Sequence, residues 1–113
     1  MQIPPALVER LTDWAGKDRA TVARLYEEYR HLPDFPAVLI ALTETRGAAD
    51  GATWLLKAWL EAGGTLEPGL LPPLLKAAAL SDSWQTRLHT LQLLPRLGLD
   101  ASHQPLVEPL VRA

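Results

Sequence analysis

An all-α fold of stacked helix pairs is what this 113-residue chain predicts, on three observations. Asp18, Asp50 and Asp82 stand 32 residues apart, twice, and the first two open near-copies, Asp18-Arg19-Ala20-Thr21-Val22 and Asp50-Gly51-Ala52-Thr53-Trp54. A second series alternates with them, in which Pro5, Pro36, Pro73 and Pro109 each precede an apolar stretch. Its last two members align as Leu70-Leu71-Pro72-Pro73-Leu74-Leu75-Lys76-Ala77 and Leu106-Val107-Glu108-Pro109-Leu110-Val111-Arg112-Ala113. Self-similarity at a period of about thirty residues marks stacked helical hairpins. The third observation is composition: leucine and alanine dominate, and β-branched residues seldom run together, which favours helix over sheet. With 48% apolar residues, the chain has the material for one domain (residues 1–113) around one continuous core.

Seven helices follow in order. The first spans about residues 4–14 and ends at Gly16, with Leu7, Val8, Leu11 and Trp14 at helical spacing. The second starts with Asp18 as N-cap, carries the stripe Val22, Leu25, Tyr26 and Tyr29, and stops at Pro33. The third, about 34–46, is capped by Asp34, closes on Gly47 and turns Val38, Leu39 and Leu42 to the core. The fourth runs from Asp50 to Gly63-Gly64 and is apolar nearly all round, which predicts burial on most sides in the middle of the array. The fifth, 70–80, has Pro72-Pro73 in its first turn, where a missing N–H costs little. The sixth begins near Asp82 and runs to Leu97, with Trp84, Leu88, Leu91 and Leu94 (or Leu93) as its inner face and Pro95 ending or kinking its last turn. The seventh begins after Ser102 and contains Pro109, awkward for a straight helix. Connections of about 2–6 residues suit antiparallel neighbours.

Composition also excludes function classes. The net charge is −2, and the halves balance: residues 1–56 carry 6 basic and 8 acidic groups, residues 57–113 carry 5 and 5. No basic block exists to neutralise several phosphates, which counts against nucleic acid as the main partner. There is no cysteine, so disulfides, thiolate catalysis and thiolate metal sites are excluded, and a cytoplasmic location is the natural expectation. The opening Met1-Gln2-Ile3-Pro4-Pro5 has neither the basic nor the apolar region of a signal peptide, and no stretch approaches a membrane span.

The alternation resembles HEAT-like repeats, in which a helix A that often carries proline precedes a helix B opened by aspartate, with an apolar residue and arginine just after. The clearest unit is residues 69–98: Leu70-Leu71-Pro72-Pro73-Leu74-Leu75 looks like helix A, and Asp82-Ser83-Trp84-Gln85-Thr86-Arg87 with Leu91 and Leu94 looks like helix B. Residues 34–64 and 4–32 match more loosely, with Leu55 and Ala23 where the arginine would stand. The resemblance implies a short right-handed α-solenoid of antiparallel helix pairs, about three and a half repeats. Four A helices face three B helices, so the last helix is unpaired. Its Leu106, Val107, Leu110 and Val111 would cap the stack, dock on another subunit, or continue into a longer solenoid.

The resemblance further implies that B helices line the concave, binding surface. Three polar stripes fall on those helices: Gln85, His89, Gln92 and Arg96; Thr53, Lys57 and Glu61; and Arg24, Glu28 and His31. They read either as one polar groove of mixed charge or as the solvated faces of amphipathic helices. Trp54 and Trp59 lie five apart and do not share a face, so core packing is preferred over a ligand cage. Trp84 stands where the family often packs an aromatic between repeats, with interface anchor as its other reading. His31, His89 and His103 lack metal-ligand spacing, and no metal or cofactor is expected. Ser81, Ser83 and Ser102 read as caps, as do Asp18, Asp50 and Asp82 in place of acid–base pairs, and no catalytic residue is assigned.

The expected function is therefore a non-catalytic module that binds a protein or peptide through Lys57, Glu61, Gln85, His89, Gln92 and Arg96, with Arg24, Glu28 and His31. Two other classes stay open. Some HEAT-like proteins are bilin lyases or alkylated-base glycosylases, although the basic groove and isolated acid that a glycosylase needs are not visible. A homo-oligomer joined through the last helix is the third.

Overall fold

The computed structural model describes residues 3–14 and 19–112. All regular structure among them is helical: α1 (Pro5–Trp14), α2 (Arg19–Tyr29), α3 (Phe35–Thr43), α4 (Ala49–Glu61), α5 (Leu71–Leu80), α6 (Trp84–Leu93) and α7 (Gln104–Arg112). Short 3-10 turns precede α5 and α7 and follow α6. The radius of gyration is 13.0 Å. No helix among the described residues is long and apolar enough to cross a membrane.

Apolar spacing explains the first three helices. Leu7, Leu11 and Trp14 are the buried positions of α1, and Val22 and Leu25 those of α2. Asp18, expected to cap α2, lies outside the described residues. In α3, Val38, Leu39 and Leu42 are buried as their spacing predicts, with Phe35 and Ile40 beside them. Asp34 stands at the N-cap of α3, but its carboxylate makes no capping bond. It adopts the left-handed region (φ 60°), which aspartate tolerates better than most residues, and its carbonyl accepts the Val38 amide at 2.9 Å.

Helix α4 is the hub, packing against α1, α2, α3 and α6. Leu55, Leu56 and Leu60 are buried along it, each contributing roughly 1.5–3 kcal/mol. Glycine at position 51 leaves room for α1 to cross, and any side chain there would displace Leu11. A Cβ there would stand 2.7 Å from Leu11 Cδ2 and 3.3 Å from the Trp14 ring. The equivalence of the aspartates as caps does not hold. Ala48 is the N-cap of α4, and Asp50 lies inside its first turn with its side chain directed to α6. Ser83, not the exposed Asp82, caps α6, its Oγ accepting the Thr86 amide at 3.4 Å.

The second half packs in two rows. Helix α5 lies against α3 and α6, α6 against α4, and α7 against α5 and α6. Pro72 and Pro73 fall in the first turn of α5, and α6 gives way to a 3-10 turn at Leu94-Pro95-Arg96. Both follow from proline's missing N–H. Pro109 sits inside α7. The last helix closes a second buried cluster, Leu75, Ala78 and Leu110, with Leu106 and Val107 at its margin, while Val111 turns outward.

The expected inner face of α6 is corrected. Trp84 and Leu88 are exposed, so Trp84 does not serve as a packed aromatic, and Thr86 and Thr90 are buried in their stead; Leu93 is buried as expected, and Leu91 and Leu94 pack half-buried at the margin of the core. The two threonines tolerate burial because each hydroxyl has an acceptor: Thr90 donates to the Thr86 carbonyl at 2.9 Å and Thr86 to Asp50.

Candidate interaction face

Helices α4 and α6 meet along a polar seam. Asp50 Oδ1 accepts the hydroxyls of Ser83 at 2.5 Å and Thr86 at 2.6 Å. One turn on, Thr53 Oγ1 and His89 Nδ1 lie 3.0 Å apart and share a hydrogen bond. The last rung is Lys57 Nζ, which donates to Gln92 Oε1 at 3.3 Å and stands 3.9 Å from Glu61. Positions 50, 53 and 57 thus pair with 86, 89 and 92, so the two helices run in the same direction. These polar partners fix the rotation of α6 about its axis, because a slip would strand the buried Thr86 hydroxyl.

Aromatic rings continue the seam inward. Trp54 meets Trp14 edge-on, with centroids 5.5 Å apart, and meets His89 at 5.4 Å and 81°. Trp54 therefore joins α1, α4 and α6, and Trp59 covers Gly64 instead, where a Cβ would fall 2.5 Å from the indole. The two indoles serve different sides, as their spacing indicates. Burial pushes the His89 imidazole below its ordinary value of 6.5, and Lys57 acts in the same direction; the Asp50 carboxylate opposes the shift.

Between α2 and α4 the surface opens into a groove of about 450 Å³, where Arg19, Ala23, Tyr26 and Glu27 face Trp54, Lys57 and Glu61. Of the residues singled out from sequence, Thr53, Lys57, Glu61, His89 and Gln92 are brought together, with Gln85 half-buried one turn above His89. Arg96 sits in the 3-10 turn after α6, exposed. The α2 stripe does not join them. Glu28 pairs with Arg10 of α1, whose guanidinium stands 5.9 Å over the Tyr29 ring. Arg24 donates to Thr21 at 3.4 Å, and His31 lies in the turn beyond the helix, exposed. The α2 residues at the groove are instead 19, 23, 26 and 27. That row has the same helical period as 24, 28 and 31, so periodicity alone does not choose between them.

A second cleft, of about 490 Å³, lies where the α3–α4 turn meets the α5–α6 turn. Glu44, Arg46, Asp50, Leu80 and Asp82 line it, a grouping that no linear spacing announces. Among the described residues, no group of three His, Asp or Glu side chains could hold a metal ion. No protein-family model, curated protein or solved structure matches this chain.

Proposed function

We propose that the chain is a non-catalytic protein-interaction module, built as a short α-solenoid of antiparallel HEAT-like helix pairs, and that a partner segment lies along the α2–α4 groove and onto α6. The two rows of packing, α2–α4–α6 and α3–α5–α7, support the solenoid reading, as does the common direction of α4 and α6. The observation that carries the binding reading is the groove itself. It places a tyrosine and a tryptophan beside the charged rims of Arg19, Lys57, Glu27 and Glu61, the mixture of amphipathic anchors and mixed charge that polypeptide-binding surfaces use. Lys57, on the rim of the groove, donates to Gln92 of α6, so a ligand in the groove lies beside that helix.

The test is capture from a nuclease-treated lysate of the source organism with the intact chain as bait, against variants Tyr26→Ala and Lys57→Glu with unchanged helical circular dichroism. A reproducible protein retained by the wild type and lost from both variants is the expected result. Equal retention by all three baits would remove the groove as the binding surface.

A further inference from the structure

The Thr53–His89 rung decides which imidazole nitrogen carries the proton. Thr53 is fully buried, so water does not reach its hydroxyl. Its Oγ1 stands 3.0 Å from the carbonyl oxygen of Ala49 and 3.1 Å from that of Asp50, one turn back on α4. A hydroxyl has one proton. If that proton pointed anywhere else, Oγ1 would set its lone pairs against both carbonyl oxygens. The proton therefore stays on α4, and Oγ1 has only lone pairs left for His89. Nδ1 of His89 lies 3.0 Å from it. Two lone pairs at that distance repel, so Nδ1 carries the hydrogen and donates to Thr53. His103 shows the reverse: its Nδ1 accepts the Asp100 amide at 3.1 Å, which puts the proton of its neutral ring on Nε2.

The state of the other nitrogen follows. In the neutral His89 ring, Nε2 is then the acceptor. It has no hydrogen-bond partner among the described residues, and no buried side-chain nitrogen or oxygen among them lacks one, so Nε2 is reached by water. We propose that Thr53 locks neutral His89 as the Nδ1–H tautomer, leaving Nε2 as a water-facing acceptor that becomes a donor on protonation while the α4–α6 rung stays closed. The added proton meets solvent, and Nδ1 keeps its bond to Thr53. Both charged groups that act on the ring are on α4: Asp50 favours the added charge and Lys57 opposes it. On α6, the uncharged Gln85 and Gln92 flank the ring one turn away, and the Arg87 guanidinium is turned to the Ser81 carbonyl at 2.7 Å. Helices α5 and α7 meet the side of α6 that carries Leu91, roughly 200° round the helix from His89. Towards α1 stands the Trp54 indole. Helix α6 thus offers an acceptor for an N–H or O–H donor near neutral pH and repels the same donor in acid, with no change in the packing beneath it.

The experiment is long-range proton–nitrogen NMR of the intact chain labelled with nitrogen-15, begun at about pH 8, where histidine is neutral. His89→Gln identifies the His89 signals by their loss. Nδ1 should resonate as a protonated nitrogen and Nε2 as a bare one. On acidification the Nε2 resonance should move through the titration while Nδ1 stays nearly still and the helical circular dichroism is unchanged. Thr53→Val, nearly isosteric, removes the acceptor and should give a mixture of tautomers. Thr53→Ser keeps the hydroxyl and should keep the lock. A bare Nδ1 in the wild type overturns the proposal, as does an unchanged tautomer in Thr53→Val. Loss of the helical signal at or before the His89 titration also overturns it, since the rung then does not stay closed around the proton.

Discussion

The Asp50–Thr86 pair offers the sharpest test of how α6 is held. Thr86 is fully buried, and its hydroxyl donates to Asp50 Oδ1 at 2.6 Å, the same oxygen that takes Ser83. A hydrogen bond to a charged group contributes about 1.5–3 kcal/mol net, and stranding a buried hydroxyl costs about 1–3 kcal/mol. Asp50→Ala removes the acceptor for both donors and the acid in the first turn of α4, worth about 0.3–1 kcal/mol against the helix dipole. The Thr86 hydroxyl recovers part of its loss by turning to the carbonyl of Ser83, the first helical acceptor of α6. The net expectation is about 3 kcal/mol, or a fall in Tm of about 10–20 °C for a chain of this size. Thr86→Val, nearly isosteric, should cost about 1–2 kcal/mol because Asp50 keeps Ser83. Urea unfolding of the four members of the cycle, followed by tryptophan fluorescence, measures the coupling, expected at about 1.5–2 kcal/mol. A coupling below about 0.5 kcal/mol would refute the argument that this polar rung holds α6 in register.

Two further outcomes follow from the same packing. Burial holds the folded-state pKa of His89 below the unfolded value of 6.5. The unfolded chain then binds more protons in the window between the two values, so this contribution to stability is complete above about pH 7 and is lost as pH falls through 6.5 towards the folded value. His89→Gln should flatten the stability difference between pH 5 and pH 7.5 in urea titrations, and an unchanged pH slope would show that the imidazole is not the group responsible. Leu110→Ala should cost about 2–3 kcal/mol, because Leu110 closes the cluster with Leu75 and Ala78. Amide exchange should show protection lost first across residues 104–112 while α4 stays protected. Simultaneous loss in both helices would mean that α7 is not a separable cover.

Much of the helical architecture was legible in the chain because it is written locally. The spacing of Leu7, Leu11 and Trp14, or of Val38, Leu39 and Leu42, fixes which face of a helix is apolar, and Pro72, Pro73 and Pro95 act on their own turns. The nearly uniform apolar character of α4 announced a helix with neighbours on several sides, and it has four. The polar stripes were legible only as stripes. Lys57, Glu61, His89 and Gln92 came together because α4 and α6 pack in register, whereas Arg24 and Glu28 turned away because Glu28 found Arg10 on α1.

The 32-residue spacing of the aspartates illustrates where local reading ends. Sequence by itself determined an all-helical chain, its seven segments, and most of their buried apolar positions, since these depend on backbone period and side-chain hydrophobicity within a turn or two. Only the tertiary structure decided that Asp50 serves Ser83 and Thr86 and does not cap its own helix, that α6 buries threonine and shows tryptophan to water, and that Arg19 and Tyr26 share a groove with Lys57 and Glu61. Each of these depends on the rotation of one helix against another. That rotation is set by the summed fit of side chains far apart in the chain, and a repeat period carries no term for it.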